Sequence, residues 1–208
     1  MARRRLAPDQ RRRELLEQAL VLFATSPYDE VTMAELAERA GASEGLVFRY
    51  FEDKRSLYVE AIRLGLERVV EASDVGDVEL PPTERFEAGL GGFVDLVERF
   101  PFAIPQALQG GPAANPELQA HVDAMFEQLV TRIVSRMRVE DPPERLRWAV
   151  RAWLVFVQVS TAQWISSPDL PREELLSSQI VVFRAAAAEA LGIEGRPTPP
   201  GGPPPLLP

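Results

Sequence analysis

The polar and charged side chains with an evident binding chemistry lie together in one short stretch with helical pattern, between Ser43 and Arg49. Ser43 can cap a helix, and the free N–H groups of the first turn behind it can hold a phosphate. Glu44 can accept from cytosine N4, whereas Arg49 can bind a phosphate bidentately or read guanine O6 and N7. Gly45 would let a backbone approach closely. These residue types predict contact with a nucleic acid.

Two short helices joined by a tight turn must position these side chains, and residues 32–55 have that pattern. Thr32 has the chemistry of an N-cap, and the glutamate three positions later completes a capping box. Gly41 follows the first helix, where an abrupt stop favours positive φ. Ala37 and Val47 supply the small and the branched apolar residue at which the helices touch. The stretch is predicted to be a helix-turn-helix, although a plain helical hairpin has the same pattern.

A recognition helix lies in the major groove with its N-terminal residues toward the base edges. By position, the residues nearest the groove floor are Ser43, Glu44, Gly45 and Val47. Helical periodicity turns another set inward, namely Leu46, Val47, Tyr50 and Phe51. Three of the candidate DNA contacts, Val47, Phe48 and Tyr50, are open to both a core role and a contact role.

The run VTMAELAERAGASEGLVFRYFEDKRSL, residues 31–57, resembles the DNA-binding module of the TetR family of transcriptional regulators, and the resemblance extends over about residues 9–62. It implies a homodimeric regulator that binds double-stranded operator DNA. It also implies that Thr32 and Lys54 contact the phosphate backbone. Phe48 departs from the family, which often has tyrosine at this position. Phenylalanine lacks the hydroxyl that would reach a phosphate.

The net charge of −8, taken as a whole, opposes DNA binding, but the distribution of the charge does not. Residues 1–55 hold ten Lys and Arg against ten Asp and Glu, so all of the net acidity lies in residues 56–208. The first thirteen residues carry six arginines and one aspartate. Such a basic arm beside a helix-turn-helix can follow a phosphate backbone.

The composition excludes several other classes of protein. The chain has no cysteine and one histidine, His121, so thiolate metal sites and common nucleophile–base arrangements are not expected. We expect no enzyme activity, no cofactor and no metal. No leader is apparent, and residues 148–165 are apolar but interrupted by Arg151 and two glutamines, which favours a buried helix over a membrane span. The expected compartment is the cytoplasm.

Helical periodicity and breaks predict an all-α chain of about nine helices. Asp9 would cap a first helix that ends near Thr25, and a fourth helix would start near Lys54–Ser56. Later helices are predicted at about 83–99, 116–137, 143–166 and 171–191, with breaks at 73–82 and 100–111. The predicted domains are a DNA-binding unit at 1–55, an effector-binding and dimerisation unit at 56–192, and a disordered Pro/Gly-rich tail at 193–208.

The resemblance implies a small-molecule pocket within the second domain. The chain offers apolar and amide candidates for its lining, namely Phe86, Phe93, Phe102, Met125, Phe126, Gln128, Trp148 and Trp153. Aromatic residues at helical spacing equally predict plain core, so both interpretations stay open.

The last two helices are predicted to form the dimer interface. The 143–166 helix is apolar nearly all round, and a helix of that kind needs partners on every side. With the following helix it predicts a four-helix contact between two identical chains, as the resemblance also implies. The candidate contacts are Phe156, Trp164, Leu176, Ile180, Phe183 and Ala187.

Together these features predict a repressor that binds a palindromic operator and is released by a small, largely hydrophobic effector. The alternative is a helical dimer that binds a ligand or a protein and keeps its helix-turn-helix only for packing.

Overall fold

A computed structural model describes residues 7–72, 81–101, 116–167 and 169–193, and these residues form eight α-helices and no strand. The helices are α1 (Pro8–Thr25), α2 (Met33–Arg39), α3 (Glu44–Tyr50), α4 (Lys54–Ala72), α5 (Pro82–Arg99), α6 (Pro116–Arg136), α7 (Glu144–Ser166) and α8 (Arg172–Leu191). A short 3-10 helix, Tyr28–Glu30, joins α1 to α2. The predicted all-α class is therefore confirmed, and the predicted tail lies outside the described residues from residue 194 onward.

The start of α1 differs from the prediction that Asp9 caps it. The helix begins one residue earlier at Pro8, and Ala7 stands at the N-cap without a side-chain bond. Proline is favoured at the first helical position because its fixed φ suits a helix and its missing N–H has no helical acceptor there. Asp9 lies inside the first turn, where its negative charge interacts favourably with the positive end of the helix dipole.

An aromatic cluster closes the core of the N-terminal unit, which we call the head and define as α1 to α3 with the start of α4. The Phe23 and Tyr58 rings meet edge to face at 5.0 Å, and Tyr28 packs against Tyr58 at 4.9 Å. Tyr58 is buried, and burial raises the pKa of its hydroxyl to about 12. The side chain is therefore neutral, and it ties α4 to α1.

Helix α4 is shared between the head and the rest of the chain. It packs against α1 on one side and against α6 on the other. Two ion pairs join it to α1, Arg12 with Glu60 and Arg68 with Glu17, and Arg132 of α6 donates to the carbonyl of Val70 at 2.7 Å. A movement of α6 would therefore reach the head through one continuous helix.

A second aromatic cluster holds α5 against α7 and α8. The Phe86 and Phe183 rings stack with centroids 4.5 Å apart, and Trp153 lies 4.8 Å from Phe183. The indole N–H of Trp153 donates to the carbonyl of Gln179 at 2.8 Å, and the Gln179 side chain donates to Thr161 at 3.0 Å. Apolar packing and a small buried polar network thus fix the crossing of α7 and α8.

Helix α7 is not enclosed on every side in a single chain, and one apolar face stays open to a further partner. Its buried residues include Leu146, Val150, Trp153 and Val157. On the other face Trp148 is 73% exposed, and Val155, Phe156 and Val159 are exposed as well. No helix within the described ranges is long and apolar enough to cross a membrane.

Asp53 supplies the N-terminal cap of α4. Its carboxylate accepts from the backbone N–H of Ser56 at 2.7 Å, and the Ser56 hydroxyl accepts in return from the Asp53 N–H at 3.2 Å. The bond from the Ser56 N–H stabilises the ionised carboxylate and lowers the pKa of Asp53 below its ordinary value. The cap is therefore strongest when Asp53 is charged.

We expect Asp53→Ala to lower the free energy of unfolding by about 1 kcal/mol, because the cap is lost, and Asp53→Asn to keep most of it. The charge-dependent part is fully present above the ordinary carboxyl pKa of about 3.9 and is lost as the pH falls through the lowered native value. Urea unfolding between pH 7 and pH 3 measures both effects. Identical acid profiles for wild type and Asp53→Asn would show that the charge contributes nothing.

Candidate nucleic-acid interface

Both short helices of the helix-turn-helix begin with the predicted side-chain caps. The Thr32 hydroxyl accepts from the N–H of Glu35 at 3.1 Å, and the Ser43 hydroxyl accepts from the N–H of Leu46 at 3.2 Å. Gly41 has a φ of 54°, which is the left-handed conformation that an abrupt helix end favours. Each capping hydroxyl keeps its own proton, so it can still donate to an anion.

The exposed face of α3 consists of four residues. Glu44, Gly45, Phe48 and Arg49 are all exposed, at spacings that place them on one side of a helix. Their types combine an acid, an open backbone, an apolar ring and a base. This face, which we call the α3 face, is the part of the helix that can enter a groove.

Val47 does not belong to the α3 face, which corrects its prediction as a groove contact. Its side chain is completely buried within the head core, together with Phe51. One residue cannot both wedge the two helices together and reach a base edge. Tyr50 is half-buried against the same core and lies 6.5 Å from the Phe51 ring, so its surroundings match the core alternative.

Lys54 is held by the loop that follows α1. Its ammonium group donates to the carbonyl of Asp29 at 3.3 Å and lies 4.4 Å from the centre of the Tyr28 ring. Burial raises the pKa of Tyr28, and the charge of Asp53 raises it further. The two contacts of Lys54 hold the loop against the start of α4, and its remaining N–H donors can face a phosphate.

The guanidinium groups of two α1 arginines are paired with other groups of the chain. Arg11 pairs with Glu14 and donates to the carbonyls of Ala40 and Gly41 at 3.1 and 3.3 Å. Arg12 pairs with Glu60 of α4 and lies over the Phe51 ring. The expectation that the basic arm follows DNA therefore does not apply to these two.

Sequence reasoning missed the positioning role of Arg11. The signal was present, because the last carbonyls of any helix lack helical partners and a basic side chain is a ready donor to them. Arg11 and Ala40 are 29 positions apart in the sequence, however, so only the packing of α1 against α2 shows which side chain donates to these carbonyls.

Seven of the eight predicted effector-pocket residues are described by the structure, and they fall into three groups. Met125 and Phe126 are buried in the main core, whereas Phe86, Phe93 and Trp153 pack around the second aromatic cluster. Two predictions are wrong, since Gln128 and Trp148 project into solvent and line no interior space. Both lie on helix positions that face away from neighbouring helices. Phe102 lies outside the described residues.

A groove lies on the surface of the head. It runs between α1 and the end of α2, and its lining consists of Gln10, Arg13, Glu14, Glu17, Gln18, Arg39 and Ala40. Its mixed charges suit water and ions better than an apolar effector. No group of three or more His, Cys, Asp and Glu side chains that could hold a metal occurs in the described ranges.

The predicted dimer contacts also divide. Phe156 is exposed, as an interface residue must be in a single chain. Ala187 is buried against α7, so its prediction is corrected to an intramolecular contact, whereas Phe183 is partly buried and packs on the second aromatic cluster. Leu176 and Ile180 pack against the same cluster and are partly buried, and Trp164 donates to the Leu170 carbonyl at 2.8 Å.

Sequence reasoning missed the exposed valines of the last two helices. Val155 and Val159 lie beside Phe156 on α7, and Val181 and Val182 are 61% and 38% exposed on α8. We call these five residues the apolar stripe. The i, i+4 spacing of Val155 and Val159 is visible in the sequence, but periodicity alone does not tell an outward stripe from an inward one.

The chain matches two family models that together span most of its helices. Residues 15–61 match the model described as bacterial regulatory proteins, tetR family, and residues 82–186 match the one described as tetracyclin repressor-like, C-terminal domain. The head and the second unit are therefore each similar to a known kind of domain.

Individual relatives agree with these matches. The HTH-type transcriptional repressor AcnR of Corynebacterium glutamicum is 36% identical over 150 residues, which cover 67% of this chain and 75% of the repressor. The HTH-type transcriptional repressor KstR of Rhodococcus jostii is 26% identical over 161 residues, covering 77% and 72%. The crystal structure of a TetR-family transcriptional regulator from Streptomyces coelicolor superposes with a TM-score of 0.82 at 29% identity, covering 91% of this chain and 85% of that one.

Gly45 is a glycine that neither the backbone nor the packing of the head requires. A Cβ added there would meet no heavy atom within 4 Å, and Gly45 has no positive φ. Glycine within a helix costs up to about 1 kcal/mol relative to alanine. We therefore expect Gly45→Ala to raise the free energy of unfolding by about 0.5 kcal/mol and to weaken DNA binding at least tenfold, because the methyl group occupies space at the α3 face.

The matched control for this prediction is Gly91→Ala in α5. Its added Cβ would meet only the end of Arg172, at 3.9 Å, so a similar gain in stability is expected with unchanged DNA binding. Thermal unfolding and fluorescence anisotropy measure the two quantities. Unchanged affinity in Gly45→Ala would show that no ligand approaches this part of the helix.

Proposed function

Because the chain belongs to the TetR family of bacterial regulatory proteins, we propose that it is a repressor that binds a palindromic operator as a homodimer. The observation that carries the proposal is the α3 face, with four neighbouring exposed positions on a helix that Ser43 caps and whose Val47 is buried in the head core. Two relatives are named repressors, which supports the sign of regulation. The chain is a DNA-binding regulator and not an enzyme, and we place its action with the DNA in the cytoplasm.

The proposed DNA contacts separate by chemistry. Thr32, Ser43 and Lys54 donate to phosphates, because their free protons lie at helix starts, where the dipole also attracts anions. Glu44 and Phe48 face the bases, and Gly45, which has no side chain, lets the DNA approach the helix backbone closely. Arg49, at the far end of the same face, binds a phosphate. Phosphate contacts fix register, whereas base contacts select sequence.

The dimer is proposed to form on the apolar stripe. Exposed valines and a phenylalanine on two adjacent helices are costly in water, and burial of apolar area yields about 25 cal/mol per Å². A second copy presents the same stripe, so a twofold contact pairs it with itself. The two α3 faces must then lie about 34–36 Å apart to meet successive major grooves.

The effector is proposed to be a small, largely hydrophobic molecule that enters beside the second aromatic cluster. Phe86 and Phe93 are partly buried there and pack beside the buried Trp153, so the lining between α5 and α7 is apolar. Gln179 is completely buried, and its amide oxygen has no hydrogen-bond partner within the described residues, so it offers an acceptor to a ligand donor. Ligand entry would shift α7 and α6, and α4 would carry the shift to the head.

The first test is selection of the operator. Full-length protein should enrich one palindromic duplex from randomised DNA, and fluorescence anisotropy should show tighter binding to it than to a scrambled duplex, weakening with salt. We call the enriched sequence the operator duplex. No enrichment at any salt concentration would favour the alternative of a structural helix-turn-helix.

Arg49→Ala is the variant that tests the phosphate contact. We expect weaker binding to operator and scrambled duplexes alike, with the slope of log K against log salt reduced by about 1. Because Arg49 is exposed in the free protein, its loss should leave thermal stability unchanged. Loss of preference at a single base pair with an unchanged slope would instead assign Arg49 to base reading.

The dimer is tested with Val181→Glu. The side chain is exposed in one chain, so folding should survive, whereas a buried charge at the interface should dissociate the dimer at micromolar concentration. Sedimentation velocity measures the mass. Ala120→Glu, on the exposed side of α6, is the control and should remain dimeric. A dimeric Val181→Glu would place the interface elsewhere.

A further inference from the structure

We propose that Phe48 determines operator specificity by packing on the C5-methyl group of a thymine, in the space that Gly45 leaves one turn earlier. The inference rests on the proposed DNA-binding function and deepens it. It starts from one unexplained feature of the head, because Phe48 is a large apolar ring that is 48% exposed on a seven-residue helix.

The folding of the head does not account for Phe48. The neighbouring Val47 and Phe51 are the residues of this segment that enter the core, at 0% and 2% exposure. Phe48 follows Gly45 by three positions and Glu44 by four, so it lies between them and Arg49 on the α3 face. An exposed phenyl ring among polar neighbours gains free energy only when a partner covers it.

The chemistry of the ring restricts what the partner offers at that point. A phenyl group cannot donate or accept a conventional hydrogen bond, so Phe48 cannot hold a phosphate or read a base edge through its polar atoms. In the major groove the thymine C5-methyl is the distinctive apolar group, and phenylalanine is among the side chains that pack on it. The ring therefore selects thymine over cytosine at one position in each half-site.

Gly45 provides the room that this contact needs. A side chain three residues before Phe48 would project from the same face of α3 toward the same part of the groove. In the free protein, no side chain beyond those of the two adjacent residues lies within 4 Å of the position that a Cβ of Gly45 would take. The helix can thus lie close enough for the ring to touch the floor of the groove.

The test removes the methyl group rather than the base pair. In the operator duplex, each thymine is replaced in turn, symmetrically in both half-sites, by deoxyuridine, which pairs identically but lacks the C5-methyl. For wild-type protein we expect one position at which affinity falls about fourfold per methyl, or about fifteenfold for the pair. The fourfold figure corresponds to about 0.8 kcal/mol for one buried CH2-sized group.

Phe48→Ala should bind the thymine duplex about as weakly as wild type binds the deoxyuridine duplex, and it should no longer respond to methyl removal at that position. Its salt slope should equal that of wild type, unlike that of Arg49→Ala. Phe48→Leu keeps an apolar side chain and should retain part of the response. Thermal unfolding checks that these exposed-site variants remain folded.

The outcomes separate the inference from the proposed function. Two outcomes would overturn the thymine contact and leave the proposed regulator function standing. In the first, wild type binds the operator specifically but its affinity falls at no deoxyuridine substitution. In the second, Phe48→Ala binds the thymine and deoxyuridine duplexes more weakly by the same factor, so the effect of methyl removal seen in wild type is kept. Failure of wild type to enrich or prefer any duplex would overturn both. A response at one thymine that disappears only with Phe48 would establish the contact.

Discussion

Helix α3 contains seven residues, and an isolated helix of that length is not stable in water. Its shape and direction depend on the complete burial of Val47 beneath it, because this contact decides which side of the helix faces outward. A rotation of 100° would bury part of the α3 face and expose the core. The binding surface of the protein is therefore a consequence of one packing contact.

The rest of the head holds that contact from both ends. Arg11 reaches the carbonyls of the turn before α3, and Arg12 covers Phe51 just after it while pairing with Glu60 of α4. Partly exposed ion pairs contribute little free energy each, so their main effect here is geometric. The basic residues at the start of α1 thus position the recognition helix.

The second unit presents two apolar surfaces with different roles. Phe86, Trp153 and Phe183 meet inside one chain, where their rings lie within 5.4 Å of one another. The apolar stripe faces away from them on the same two final helices. Because α7 contributes to both, it is apolar around most of its circumference, and α4 connects this unit to the head.

The helical class, the caps at Thr32 and Ser43 and the turn at Gly41 follow from local sequence, because they depend on residues within one or two turns of each other. The sequence also identified the residue types of the α3 face. The directions of side chains that periodicity leaves open depend instead on how distant helices pack. Val47 and Ala187 proved to be core, and Trp148 proved to be exposed, because burial depends on which helix arrives opposite a residue, and that helix comes from a distant part of the chain.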